Sequence, residues 1–331
     1  MDTGSRYLPA IPVLLAYLIL LGVGLFLPGK WQLVSQIAFF CALGQAFNLF
    51  MGMTGYVDFG YVAFLGVGTY GMALPISMLA DKELGLGVIG LGLVLSATMA
   101  VLLSLAVGAV ALRLRGAYFA IATIGVNEGF RYFIEGARIW QGSEGIIFSS
   151  HLRTALGREA AMSLSTFWAD VMVFGVAVLA ALLTLVYLRG KVGYALAAVR
   201  MDEDAAKVMG INVTKYKIIA FVTSAALAGL LGATAWALKL TYVYPTDVFA
   251  IHYTVEAIII VLLGGAGTLL GPIVGALIYG LSKYYLAVHL PGFQLIIFAP
   301  VIVVIIVLFP EGTVGMIRKR LAGTAFEKYV V

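Results

Sequence analysis

Residues 84–112 read LGLGVIGLGLVLSATMAVLLSLAVGAVAL, a run with no charge between Glu83 and Arg113. At 1.5 Å per residue, a helix of about 20 residues crosses the roughly 30 Å hydrocarbon core of a bilayer, and this run is longer. Uncharged windows of the same kind occupy Tyr7–Gly29, Trp31–Val57, Phe59–Ala80, Val171–Leu188, Ile218–Leu238, Ala257–Ser282 and Tyr284–Pro310. Soluble domains carry about 25% charged residues, whereas this chain of 331 residues carries 11%, with 62% hydrophobic. Composition therefore excludes a soluble enzyme. The polar stretches that remain, around Arg138–Ser165 and Arg189–Lys217, are far shorter than the ~150 residues of a typical extramembrane domain.

Basic residues gather between the windows: Arg113 and Arg115; Arg189, Lys191, Arg200, Lys207, Lys215 and Lys217; Arg318, Lys319, Arg320 and Lys328. The positive-inside rule assigns these clusters to the cytoplasm. The expected fold is an all-α, polytopic transmembrane bundle of about ten segments, near 9–28, 32–51, 58–80, 87–112, 117–134, 166–188, 218–239, 252–264, 268–288 and 293–309. Both termini then lie inside, 1–331 is a single transmembrane domain, 136–165 is an extracytoplasmic loop and 189–217 a cytoplasmic one. The net charge of +5 is accounted for by this topology, so no nucleic-acid partner is expected. Pro9–Pro28 is too long for a signal-peptide core and reads as a retained first helix. The segments 117–134, 252–264 and Gly52–Gly60 read as short or broken helices. Gly264, Gly265, Gly267 and Gly271 are expected to form structural turns that divide one apolar run into two.

Several motifs carry no chemistry. Gly24–Trp31 fits most of a phosphate-cradling loop, but Trp31 stands where Ser or Thr must hold magnesium. Gly66–Gly71 spells a dinucleotide fingerprint inside an apolar window, without a βαβ unit. His151, His252 and His289 are too dispersed for a zinc site, and neither a metal nor a catalytic nucleophile is expected. Cys41, the single cysteine, reads as packing.

The 189–217 loop is more informative. Asp202 can cap a short helix whose first turn gains Glu203 and Asp204, and Gly210 stands where that helix would end. Ala205, Ala206 and Val208 or Met209 are expected to form a small exposed apolar face. Asp204-Ala205-Ala206 followed by Gly210 resembles the EAA loop of ABC importer permeases. Further stretches, in order, are Gly55–Gly66 (GYVDFGYVAFLG), Leu112–Thr123 (LRLRGAYFAIAT) with Glu128 and Arg131, Gly142–Ile146, Leu262–Pro272 (LLGGAGTLLGP) and Phe309–Gly312 (FPEG). Together they resemble LivM-type permeases of branched-chain amino acid ABC importers over roughly Gly55–Gly315. Tyr56, Asp58 and Tyr61 depart from the Gln-x-Ser-x-Gly-His pattern common there.

The resemblance implies a multi-pass permease of the cell membrane without catalysis of its own, moving branched-chain or related amino acids by alternating access. It implies a second homologous permease, two cytoplasmic ABC ATPases that bind ATP and Mg, and an extracytoplasmic solute-binding protein. Asp202, Glu203, Asp204, Ala205, Ala206, Met209 and Gly210 would couple the chain to the ATPases. Intramembrane polar groups are functional candidates by default, so Asn48, Thr54, Asp58, Thr69, Thr123, Asn127, Glu128 and Glu256 are candidates for the translocation pathway. Glu128 and Arg131 can pair on one helical face, Asn127 can bond a neighbouring helix, Asp58 is expected to be solvated near the cytoplasmic mouth, and Glu256 to lie in the first turn of its helix. The alternatives are a permease of the same family for urea or short amides, and an ion-coupled secondary transporter with Glu128, Glu256 or Asp58 carrying the coupling ion.

Overall fold

The computed structural model describes residues 10–27, 29–79, 85–289, 300 and 312–321. Its helices are α1 (Ala10–Phe26), α2 (Trp31–Phe47, running on as π-helix through Asn48–Gly52), α3 (Val62–Leu79), α4 (Gly87–Ala111), α5 (Ala117–Gly136), α6 (Phe148–Leu156), α7 (Arg158–Ser163) and α8 (Ala169–Arg189). They continue as α9 (Lys191–Met201), α10 (Glu203–Val208), α11 (Val213–Leu231, with a π-helical end Gly232–Ala237), α12 (Pro245–Val248), α13 (His252–Gly264) and α14 (Gly271–His289), with a further helix at Gly312–Leu321. A two-residue antiparallel ladder, β1 (Ile146–Ile147) with β2 (Tyr242–Val243), is the strand content of the described residues.

Among the described residues, six helices are long and apolar enough to cross a membrane: Trp31–Gly52, Val62–Leu79, Gly87–Ala111, Arg158–Arg189, Val213–Ala237 and Pro245–Gly264. Ile11–Phe26 is a shorter apolar helix. Apart from residue 300, the expected segment 293–309 lies outside the described residues, as does most of the Phe309–Gly312 motif. Residues 117–134, expected to be broken, belong instead to a continuous 20-residue helix. Gly125 and Gly129 meet no neighbour that would require a turn, and Arg131 ties the helix along one face to Glu128 at 2.9 Å and Glu135 at 3.8 Å. The break at Gly52–Gly60 is present, as a π-helical end followed by a loop in which Gly55 takes φ +77°.

Contacts divide the chain into two compact units, one of 1–55, 177–213 and 256–331, the other of 56–176 and 214–255. In the second, α4 buries Gly92, Ser96, Ala100, Ser104 and Gly108. Every fourth residue on that face is small, which lets helix backbones approach closely. A Cβ on Gly71 of α3 would lie 2.6 Å from Ser96 Cα, and one on Gly229 of α11 would lie 2.6 Å from the Ser96 carbonyl. Gly68 meets the Gly229 backbone and Gly232 the Leu65 carbonyl just as closely. The Gly66–Gly71 pattern thus serves helix packing.

In the first unit, α2 packs on α13 and α14. A Cβ on Gly44 would lie 2.5 Å from Ile260 Cγ2, and Gly275 sits directly on the Ile260 carbonyl. Phe40 meets Tyr279 edge to face, with ring centroids 5.1 Å apart. Cys41 is fully buried in this core.

Candidate functional site

The 189–217 segment forms the short helix expected within it. Asp202 is extended, at φ −158° and ψ 114°, and its Oδ1 accepts from the Asp204 and Ala205 amides at 2.9 Å each. Two of the orphan donors at the start of α10 are thereby satisfied. Lys207 bridges back to Glu203 at 3.0 Å. At the other end Gly210 takes φ +83°, its amide reaches the Lys207 carbonyl, and the Ile211 amide reaches the Ala206 carbonyl. This is the paired hydrogen-bond pattern that a left-handed glycine permits at a helix end.

The exposed face differs from expectation at one residue. Ala206 is buried and packs with Val199 of α9 and Val213 of α11, with Ala198 and Ile211 beside them. In a helix of under two turns, one side must anchor the element, and Ala206 lies on that side. Ala205, Val208, Met209 and also Met201 face outward; Val208 is 86% and Met209 82% exposed. Behind them, Gly193 lets α9 seat directly against the Tyr187 carbonyl of α8. A helix of under two turns thus carries an apolar tip and is fixed at both ends and along its rear.

The glycine turn Gly264–Gly267 is real and tightly held. Gly265 and Gly267 take φ +126° and +79°; a Cβ on Gly264 would overlap the Gly271 carbonyl, and one on Gly271 would lie 2.4 Å from the Gly265 carbonyl oxygen. Asn48 clamps the turn, donating to the Thr268 carbonyl at 2.9 Å and accepting from the Gly267 amide at 2.8 Å. Gln45 donates to the Leu269 carbonyl at 2.7 Å. The turn therefore joins α13 to α14 while it is bonded to the π-helical end of α2.

Of the other pathway candidates Glu128 is half-buried, paired with Arg131 at 2.9 Å, and the rest are buried. Thr54 bonds the Phe50 carbonyl, Thr69 the Leu65 and Gly232 carbonyls, and Thr123 the Ala120 carbonyl while accepting from the Phe59 amide. Asn127 donates to the Phe249 carbonyl at 3.0 Å and to Glu128 at 3.3 Å. Asp58, expected to be solvated, is instead buried. The Phe59 amide beside it bonds Thr123 of α5 and holds this turn on that helix, so Asp58 is covered; its Oδ1 accepts from the Gly60 amide at 2.9 Å, while Oδ2 is buried without a hydrogen-bond partner.

Glu256 also departs from expectation. Helix α13 starts at His252, so Glu256 lies just past the first turn, and its partner is a side chain. Oε1 accepts from Lys283 Nζ of α14 at 2.5 Å, while Oε2 is buried without a hydrogen-bond partner. Lys283 also lies 5.1 Å from the centre of the Phe40 ring. Sequence reasoning missed Lys283, although it is the single charge separating two long apolar windows. Among the described residues, no group of His, Cys, Asp or Glu could hold a metal ion.

A family model described as the permease component of branched-chain amino acid transport systems matches residues 29–308. The chain is 27% identical over 316 residues to the high-affinity branched-chain amino acid transport system permease protein LivM of Salmonella typhimurium, covering 88% of this chain and 72% of that protein. The LivM protein of Escherichia coli K12 is likewise 27% identical over 313 residues, with the same coverage. No solved structure matches.

Proposed function

The chain belongs to the permease components of branched-chain amino acid transport systems, and from that premise we propose that it is the multi-pass membrane subunit of an ABC importer for branched-chain or related amino acids. It works with a second, homologous permease, two cytoplasmic ATPases that bind ATP and Mg, and an extracytoplasmic solute-binding protein. The bundle has about ten crossings with both termini in the cytoplasm, placing 189–217 at the ATPases and 136–165 on the opposite side. The chain itself is not an enzyme.

The observation that carries the coupling role is α10. Its apolar tip, Val208 and Met209, is suited to a groove on a partner protein, and its buried Ala206 makes it one body with Val199 and Val213. Because α9 and α10 meet at Asp202 and α11 begins at Val213, a push on α10 is delivered to membrane helices rather than absorbed by a loop. ATP-driven closure of the ATPases would thus bias the bundle between its two openings. Glu203, Asp204, Ala205 and Gly210 shape the docking surface and its ends. Asn48, Asp58, Asn127, Glu128 and Glu256 are the pathway candidates with ionisable or amide side chains, and Thr54, Thr69 and Thr123 are those with hydroxyls.

The test is co-purification and uptake. Val208→Glu together with Met209→Glu should abolish co-purification of the ATPases and uptake into ATP-loaded proteoliposomes, with membrane insertion unchanged. Normal uptake by that double variant removes α10 as the docking element. Uptake by the chain alone, collapsing with an uncoupler, establishes the secondary-transporter reading instead.

A further inference from the structure

Arg200 stands at the end of α9, two residues before the Asp202 cap. Its Nη1 donates to the Gly52 carbonyl at 2.6 Å and to the Ala266 carbonyl at 3.2 Å. Gly52 closes the π-helical end of α2, and Ala266 lies in the turn between α13 and α14. Interrupted helices leave carbonyls without intrahelical partners, and a single guanidinium nitrogen joins one such carbonyl from each interruption.

The space for this contact is made by glycine. A Cβ on Gly267 would lie 2.6 Å from Arg200 Nη1 and 2.7 Å from the Gly52 carbonyl oxygen, and one on Gly55 would lie 3.4 Å from Arg200 Cγ. Asn48 ties the same two interruptions together from within the membrane helices. Arg200 does so from the element that carries α10, since neighbouring Val199 packs on Ala206.

We propose that Arg200 is the positioning residue through which displacement of α10 reaches the two helix interruptions. The inference rests on the coupling role of α10 given above. Arginine suits the task for three reasons: it is charged at every working pH, it offers several donors in a fixed plane, and its acceptors are neutral carbonyls. Such bonds can break and re-form during a cycle without leaving an opposite charge unpaired.

The experiment uses the importer assembled with its partner subunits in proteoliposomes, and reads uptake per ATP hydrolysed. Arg200→Met should lower that ratio by about tenfold or more, the worth of a charge-assisted hydrogen bond, with stimulated ATPase activity kept within about twofold. Arg200→Lys, shorter by one atom and without the planar fork, should recover only part of the ratio. Gly267→Ala places a methyl group against both the guanidinium and the Gly52 carbonyl, at a φ of +79° that also strains the turn, and should lower the ratio at least as far as Arg200→Met in a chain that retains the arginine. The double variant should be no worse than Gly267→Ala alone, because both remove the same contact.

Uptake per ATP at the wild-type level in Arg200→Met overturns the proposal. So does a proportional fall of uptake and ATPase activity, loss of the folded complex in both single variants, or multiplicative effects in the double. The docking role of α10 fails by a different readout, retention of the ATPases in the Val208→Glu, Met209→Glu variant.

Discussion

Glu256 and Lys283 form an ion pair between α13 and α14, 2.5 Å between Oε1 and Nζ, with Glu256 nearly excluded from solvent. Each charge alone would be costly there, and each reduces the cost of the other. Removing one partner from a fully buried pair costs 3–5 kcal/mol. The side chain of Lys283 is 30% exposed, so we expect Lys283→Met to destabilise the folded chain by about 2 kcal/mol, read as a lower unfolding temperature in detergent. Combining it with Glu256→Gln should recover most of that loss; a double variant less stable than Lys283→Met shows that the pair is not what holds these helices. Asp58 is a different case, a buried carboxyl with one oxygen bonded to the Gly60 amide and the other unmatched. Its burial accompanies the bond from the adjacent Phe59 amide to Thr123 of α5.

The two informative elements are α4 and α10, and they are stabilised in opposite ways. Helix α4 is apolar on all sides; what gives it orientation is the small-residue face Gly92, Ser96, Ala100, Ser104 and Gly108, where dispersion at short range replaces a hydrophobic drive that is absent between helices in lipid. Helix α10 is too short to persist by propensity and exists because its ends are capped and Ala206 is anchored. Asp202→Ala should therefore cost about 1 kcal/mol and fray α10 specifically. Protease cleavage near 202–210 in the detergent-solubilised chain without its ATPases should accelerate while the global unfolding temperature is nearly unchanged, and Asp202→Ser should restore protection. An unchanged cleavage rate in Asp202→Ala refutes the cap as the source of order.

At the scale of the whole molecule, the proposed topology sets 189–217 and 136–165 on opposite faces of the membrane. Cys41 is the single cysteine and is fully buried, so it gives an unreactive background for labelling. Met209→Cys should react with an impermeant maleimide only from the cytoplasmic side, and Met162→Cys, in a residue 65% exposed, only from the other. Labelling of both from one side removes the parity on which the crossing scheme depends; labelling with the sides exchanged inverts it.

The amino-acid sequence by itself determined that the chain is a helical membrane protein, where the charged loops lie, and that a capped helix stands at Asp202–Gly210. These follow from length, charge and capping chemistry, which act over a few residues along the chain. Only the tertiary structure decided that Ala206 faces inward, that Asp58 is buried, that Glu256 meets Lys283 and that Arg200 reaches Gly52 and Ala266. The contacts of Ala206, Glu256 and Arg200 join residues from different elements, and in a chain so uniformly apolar no hydrophobic periodicity marks which helix face meets which. Steric fit at glycines and the need to satisfy carbonyls and charges away from water select those partners, and both act across space rather than along the chain.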